Sequence, residues 1–300
     1  MIIVFGSINM DLVFPVAHAP AAGETLLIPD YQQFPGGKGA NQAAAAALMG
    51  ASVCMAACVG ADAFGGYLTN ILRDRNIDTG WVQVDRDART GSAMITLEQN
   101  GENRIIVAAG ANARAQQAII PDAALMPGCT VLMQMETGLD QVQALAQRAQ
   151  GKVDRVILNL APMIPPGVDT LHAVDYLILN EVEIVQLASA LLMPAQDYKN
   201  TARMMAKIYD LICILTRGAQ GAEAYNADGL VAQAPAMALD HVVDTTGAGD
   251  AFCGALAAFL DQGMALGDAL KGACIAGSLS CRKMGAMSAY PDRETVRRAL

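Results

Sequence analysis

The sequence predicts an α/β fold: a mainly parallel central sheet flanked by helices, with a small second β-sheet over one edge. Three observations predict it. Short apolar runs of β-type alternate with longer runs of helical period through most of the chain, as expected of parallel strands joined by crossover helices. Two segments, 11–34 and 91–108, break that alternation and carry no helical pattern. Polar clusters follow directly on the apolar runs, at the strand carboxyl ends where open α/β sheets bind ligands.

From the amino terminus, residues 2–8 read as a first strand and 38–49 as an alanine-rich helix that Gly50 ends. A strand over 53–59 and a helix over 64–75 follow. Further strands are expected at 130–135, 156–160, 176–179 and 211–215, with helices at 139–150, 182–192 and 201–208 between them. Helices at 249–262, 266–283 and 293–300 finish the chain. In segment 91–108 the runs 93–98 and 104–107 flank Gln99-Asn100-Gly101-Glu102, and Asn-Gly between alternating runs signals a hairpin. The two exceptional segments, about 11–34 and 91–108, are expected to share a small sheet that forms a lid over a ligand cleft. The whole of 1–300 then reads as one domain.

Bulk properties bound the function. Hydrophobic residues make up 53% of the 300 residues, which excludes a mostly disordered chain. A net charge of −9 makes nucleic acid and membrane surfaces poor partners. It does not exclude a single anionic ligand held by local N–H groups. The stretch 39–61 carries no charge, but Asn41, Gln42, Ser52 and an interrupting Gly50 read as a buried helix followed by a buried strand. The seven cysteines form no Cys-x-x-Cys pair and mostly sit in apolar runs, as reduced thiols of a cytoplasmic protein do. No basic, apolar leader opens the chain. Three scattered histidines give a His-rich metal site no support.

The strongest motif is Asp244-Thr245-Thr246-Gly247-Ala248-Gly249-Asp250, a glycine turn running into a helix. Such a turn converges backbone N–H groups on one point, and the helix start adds partial positive charge. Gly247, Ala248 and Gly249 would thus form an anion hole with Asp250 at its edge, although a carboxylate there also suits a helix cap. The dinucleotide and P-loop fingerprints both fail on spacing. A second cluster, Gly36-Gly37-Lys38-Gly39-Ala40-Asn41, brings bare backbone, a cation and an amide to a helix start, which suits either a polyol or a plain cap. Asn9 and Asp11 follow the first strand and share a side if it continues. Glu136 follows the strand 130–135. Asn180 and Glu183, three apart, either reach one metal ion or make a capping box. Thr216-Arg217-Gly218-Ala219-Gln220-Gly221 offers an arginine, a hydroxyl and a glycine turn.

Taken together and in order, these motifs resemble the ribokinase-like (PfkB) family of sugar and nucleoside kinases. Gly36–Asn41 resembles its amino-terminal signature, Asp244–Asp250 its carboxyl-terminal one, and Asn180–Glu183 its Asn-x-x-Glu motif. Gly110-Ala111-Asn112 and Met133-Gln134-Met135-Glu136 bring the likeness closest to the pentose kinases of the family. The resemblance implies a ribokinase-like three-layer sandwich with a β lid, ATP and Mg²⁺ as cofactors, and transfer of the terminal phosphate to a pentose, D-ribose first. Asp250 would face the accepting hydroxyl as base, with Gly247, Ala248 and Gly249 as the anion hole. Asn9, Asp11, Gly37, Lys38, Asn41 and Glu136 would hold the sugar. Asn180, Thr216, Gly218, Gly221 and Gly249 would face the nucleotide, and Glu183 would hold Mg²⁺ through water. Asp244, Thr246 and Gly285 would hold K⁺, although loop 283–289 lacks the family's usual Pro-Ser pair. A homodimer through the lids is also implied. The alternatives are a nucleoside kinase of adenosine or pseudouridine type, another sugar kinase of the family, and a non-catalytic sugar-binding regulator; the scarcity of aromatics, none of them inside the sugar motifs, argues against the first and the intact Asp250 against the last.

Overall fold

A computed structural model describes residues 1–98, 102–193 and 197–300. The chain begins with β1 (Ile2–Phe5), then enters β2 (Asn9–Val16) and β3 (Gln32–Gly36). Next come α1 (Lys38–Leu48), β4 (Val53–Gly60), α2 (Ala63–Asp74) and β5 (Asp78–Asp85). β6 (Gly91–Glu98) and β7 (Asn103–Ala108) lead to β8 (Thr130–Met133), α3 (Leu139–Ala149), β9 (Arg155–Asn159) and the single-turn α4 (Val168–Leu171). β10 (Tyr176–Asn180), α5 (Glu181–Ala190), α6 (Tyr198–Tyr209) and β11 (Ile212–Thr216) precede the ribbon of β12 (Ala222–Asn226) and β13 (Gly229–Ala234). The chain ends in α7 (Ala248–Asp261), α8 (Leu266–Ser280) and α9 (Arg293–Ala299).

The central sheet has nine strands in the order β13-β12-β11-β10-β9-β8-β1-β4-β5, parallel from β11 to β5 and antiparallel at the β12–β13 edge. Period-two alternation divides its side chains between two cores. Ile2, Val4 and Leu132 face a cluster with α1, α7 and α8, whereas Ile3, Phe5, Val131 and Met133 face one with α3, α5 and α6. Because both faces are covered, these strands read as unbroken apolar runs, and each fully buried side chain contributes about 1.5–3 kcal/mol.

The second sheet has the order β3-β2-β6-β7. The two segments without helices thus pair with each other, β2 with β6 in parallel from Asn9↔Gly91 to Val16↔Glu98. β6 and β7 are antiparallel, from Ser92↔Ala108 to Leu97↔Asn103. The Asn100-Gly101 turn expected between them lies outside the described residues.

The structure differs from the sequence expectation in four places. The first strand does not run to residue 8: it ends at Phe5, and Asn9 opens β2 of the second sheet. Backbone crowds this exit, since a Cβ on Gly6 would lie 2.7 Å from the Cα of Gly39. β5 was not expected, nor was the β12–β13 ribbon. α8 stops at Ser280, which leaves 281–291 as a loop.

The step that positions the site is the crossing of α1 and α7. Residues 43–46 of α1 are all buried alanines. Gly254 of α7 lies so close that a Cβ there would come within 2.3 Å of the Gln42 carbonyl oxygen. Small residues on both helices bring the backbones together, and the first turn of α7 arrives beside the first turn of α1.

Candidate active site

Asp250 sits in the first turn of α7, only 7% exposed. Both its oxygens are held by amides of α1: Asn41 Nδ2 donates to Oδ2 and Gln42 Nε2 to Oδ1, each at 2.9 Å. Gln42 also donates to Asn159 Oδ1 at 2.9 Å and accepts from Gln134 Nε2 at 2.8 Å. The carboxylate is therefore fixed from behind by a chain of amides. The helix start next to it has no side-chain cap. Gly247 there is left-handed, with φ 73°, a conformation that costs any residue with a Cβ about 1–2 kcal/mol. The Ala248 N–H bends back to the Thr245 carbonyl at 3.2 Å. The expected anion-binding turn of Gly247, Ala248 and Gly249 thus carries one N–H, that of Ala248, with a partner inside the turn.

On one side of Asp250 lies a charged cluster. The Glu136 carboxylate accepts from Ser7 Oγ at 2.5 Å and from the Lys38 backbone N–H at 3.0 Å. Asn9 Oδ1 accepts from Asn112 Nδ2 at 2.7 Å, and Asn112 Oδ1 accepts the Ile8 N–H at 2.9 Å. The Asp11 carboxylate packs on the bare Cα of Gly36, where a Cβ would meet it at 2.1 Å. Burial first, then Glu136 and Asp250, push Asp11 up to about 7, against the pull of Lys38. The Asp250 carboxylate in turn raises Lys38 above its ordinary value, helped by Glu136 and opposed by burial. Asn9, Asp11, Lys38, Asn41, Glu136 and Asp250 thus come together, with Gly37 packed on the 7–9 backbone.

On the other side, a polar cavity of about 160 Å³ is lined by Lys38, Asn180, Glu183, Thr216, Gly249 and Asp250, among others. It shares Thr216 and Gly249 with a larger, mostly apolar cavity of about 550 Å³, whose walls include Gly218, Gly221, Met237, Phe252 and Cys274. Asn180 and Glu183 do form the capping box: Asn180 Oδ1 accepts the N–H groups of Val182 and Glu183, and Glu183 Oε2 accepts that of Asn180. The same two residues still face the cavity, and burial raises the Glu183 carboxyl. Arg217 turns away instead. Its guanidinium bonds Glu223 at 2.8 Å, Glu181 at 3.0 Å and Tyr198 Oη at 2.7 Å.

Asp244, Thr246 and Gly285 also meet. Asp244 accepts the Thr246 N–H at 2.9 Å on one oxygen and the Gly285 N–H at 2.8 Å on the other. Burial raises this carboxyl, but the Thr246 side chain first, then the Gly285 and Thr246 N–H groups, outweigh it and hold it below its ordinary range. Among the described residues, no group of three or more His, Cys, Asp or Glu side chains is placed to hold a metal. The sequence reading assigned no role to Gln42, Asn159 or Ser7. The one local signal for Gln42 is a long polar side chain inside an alanine run.

A doubly covered parallel sheet, a carboxylate at an uncapped helix start and adjoining polar and apolar cavities suit a small-molecule kinase. The chain belongs to the pfkB family of carbohydrate kinases, which it matches over residues 1–293. It is 35% identical to a ribokinase of Bacillus subtilis, covering 100% of this chain and 99% of that one. A crystal structure of a ribokinase from Thermotoga maritima is 30% identical with a TM-score of 0.91, covering 99% of this chain and 98% of that one. The structure of Arabidopsis thaliana ribokinase complexed with ribose and ATP is 29% identical with a TM-score of 0.88, covering 99% and 97%. The expected ribokinase-like layered architecture is the one observed.

Proposed function

We propose that the protein transfers the terminal phosphate of ATP to a hydroxyl of a pentose, converting D-ribose to ribose 5-phosphate. The observation that carries the proposal is the Asp250 carboxylate, held by Asn41 and Gln42 at the open end of α7 between a charged polar cluster and a nucleotide-sized cavity. Asn9, Asp11, Gly37, Lys38, Asn41 and Glu136 offer the donors and acceptors a polyol needs. With the sugar there, its accepting hydroxyl faces Asp250, which orients it and takes its proton late. Phosphoryl transfer runs through a loose transition state, so positioning and charge neutralisation dominate. The turn at Gly247 and Gly249 receives the developing charge with backbone dipoles that need no rearrangement. The apolar cavity, with Thr216, Gly218 and Gly221 at its mouth, takes the nucleoside part of ATP.

The oxygen donors present suit Mg²⁺, which is usually bound by one or two carboxylates together with substrate phosphates. Glu183, with Oε2 tied to Asn180, has its other oxygen for a metal-bound water. When bound, the ion neutralises phosphate charge. For K⁺ the fit is poor: both oxygens of Asp244 already bind N–H groups, and loop 283–289 lacks the Pro-Ser pair. Asp244 acts here as the tether of loop 281–291.

The second sheet, which carries Asn9 and Asp11, serves as the lid. Its ribbon exposes Met94, Ile105, Ile106 and Val107, each more than 40% accessible. A second copy covering these residues makes the homodimer. Seven free, buried thiols suit a reducing cytoplasm. No helix among the described residues is long and apolar enough to cross a membrane.

The test is ADP release from Mg-ATP with ribose, deoxyribose, fructose or adenosine, with and without K⁺. A clear preference for ribose supports the proposal. Preference for adenosine overturns the substrate and keeps the chemistry; no turnover with any of them overturns the reading.

A further inference from the structure

Arg217 belongs to one of the motifs at the site, yet the mechanism leaves its side chain unused. Its backbone opens the turn that follows β11. The Arg217 N–H donates to the Gly221 carbonyl at 2.8 Å, and the Arg217 carbonyl accepts the Gln220 N–H at 3.0 Å. Gly218 and Gly221 both have positive φ, at 52° and 90°, and residues 218–220 are exposed. Such a turn has little of its own to stiffen it, because glycine adds conformational freedom and exposed residues add no packing. Thr216, Gly218 and Gly221 nevertheless line the apolar cavity that takes the nucleoside.

The Arg217 guanidinium supplies the missing support. Its side chain is 14% exposed and lies behind the turn, lining neither cavity. Nε donates to Glu181 in the first turn of α5 at 3.0 Å, and Nη1 to Glu223 of β12 at 2.8 Å. Nη2 donates to Tyr198 Oη at the start of α6 at 2.7 Å and to Gln220 Oε1 within the turn itself. The bond to Glu181 has a particular place. β10 and β11 pair as far as Asn180↔Thr216, and the Glu181–Arg217 bridge continues that pairing one residue past the strands. On one side of the bridge Asn180 and Glu183 face the polar cavity; on the other Gly218 and Gly221 face the apolar one. Glu223 does not rely on Arg217 alone, since Lys199 Nζ donates to it at 3.1 Å and Tyr225 Oη at 2.6 Å. Glu181 is 39% exposed and open to water. What Arg217 contributes beyond charge compensation is the connection between the α5 start and the turn.

Building on the kinase reading above, we infer that Arg217 is a positioning residue for the nucleotide, whose guanidinium sets the turn 216–221 against the start of α5 and so fixes the nucleoside end of the ATP site relative to its phosphate end. A guanidinium suits the task because its planar fork bonds several fixed partners at once, which an ammonium on a flexible stem does not. ATP then meets a preformed site, and binding does not have to order the turn.

The full-length wild type is compared with Arg217→Met, Arg217→Lys and Glu181→Ala. Initial rates are taken over a range of Mg-ATP at a saturating level of the sugar it accepts, and over a range of that sugar at saturating Mg-ATP. Melting is followed with and without Mg-ATP. Met keeps the apolar stem and removes the fork; Glu181→Ala cuts the bridge and leaves the Glu223 cluster whole. The KM for ATP should rise about 10-fold in Arg217→Met and about 3-fold in Glu181→Ala, as loss of charged hydrogen bonds behind the turn implies. The KM for the sugar should hold, and the stabilisation by Mg-ATP should shrink. Arg217→Lys should resemble Arg217→Met, because it restores the charge and not the fork. A wild-type KM for ATP in both Arg217→Met and Glu181→Ala overturns the inference whatever happens to melting, since the network then serves the fold alone. A parallel rise of both KM values overturns it as general loosening. Full recovery in Arg217→Lys overturns it as well, because charge acting at a distance then explains the effect. Should Arg217→Met fail to fold, Glu181→Ala decides: a raised KM for ATP beside a held KM for the sugar supports the inference, and an unchanged one overturns it. A wild type that neither phosphorylates a sugar nor is stabilised by Mg-ATP ends the kinase reading and this inference with it. An active wild type beside indifferent variants removes this inference alone.

Discussion

Replacing Asp11 with Asn should stabilise the ligand-free protein at alkaline pH while weakening its hold on sugar. The Asp11 carboxyl is enclosed at the start of β2, and burial, Glu136 and Asp250 raise its pKa from 3.8 to about 7. A rise of about three units corresponds to about 4 kcal/mol between the two protonation states. The folded pKa lies above the unfolded one, so between the two values the native state binds the proton more tightly. Stability therefore falls as pH rises from about 4 through about 7. The ionised carboxyl costs the wild type under about 2 kcal/mol at pH 5 and about 4 kcal/mol at pH 8.5. Asn does not titrate, so the stability difference between variant and wild type should widen by about 2–3 kcal/mol over that range. Urea denaturation at the two pH values measures it, and the comparison cancels groups that both proteins share. Parallel pH dependence, or a variant less stable at pH 8.5, would refute the reasoning. The expected result would identify Asp11 as a residue kept at the expense of stability for what it binds.

The other predictions concern the α1–α7 crossing and the second sheet. Asp250→Asn should fold, because the unbonded Asn41 Oδ1 is available to accept from the new amide after a flip; turnover should drop at least about 10²-fold, and near-normal ADP release would remove Asp250 from the chemistry. Gln42→Leu cuts the bonds to Asp250, Asn159 and Gln134; it should lower stability by about 1–3 kcal/mol and reduce kcat more than it changes either KM, and a wild-type kcat would refute this. Gly247→Ala puts a Cβ 2.6 Å from both Ala286 Cβ and the Tyr290 hydroxyl at a positive φ; a loss of at least about 1–2 kcal/mol is expected, and unchanged melting would contradict the described turn. Ile106→Glu should convert a dimer to a monomer in sedimentation; a wild type that is already monomeric would dispose of the lid-to-lid interface.

Parallel strands covered on both faces were easy to read, because β1 and β8 to β11 have no polar side to disguise them. β5 was not, because it is an edge strand paired with β4 and its DTGWVQVD sequence alternates poorly. The β12–β13 ribbon was hidden by Glu223. A buried glutamate argues against a strand unless its partners are known, and here Arg217, Lys199 and Tyr225 supply them. The same contacts explain why Arg217, which looked available to a ligand, is not. Asn180 and Glu183 show a different limit. Capping and facing a cavity need the same residues at the same spacing, and the structure has them doing both.

The motifs supplied most residues of the candidate site, but not the packing that brings them together. Asp250 and Gln42 stand 208 positions apart. What joins them is the run of buried alanines on α1 against Gly254 on α7, which looks in the sequence like ordinary core composition. The signature glycines are legible because a turn constrains its own few residues. The amide chain behind Asp250 is illegible because it depends on how closely two distant helices approach. Orientation of the Asp250 carboxylate therefore rests on packing that local motifs do not encode: a larger residue at 254 would push α7 off α1 and loosen both hydrogen bonds to Asp250 while leaving the whole signature intact.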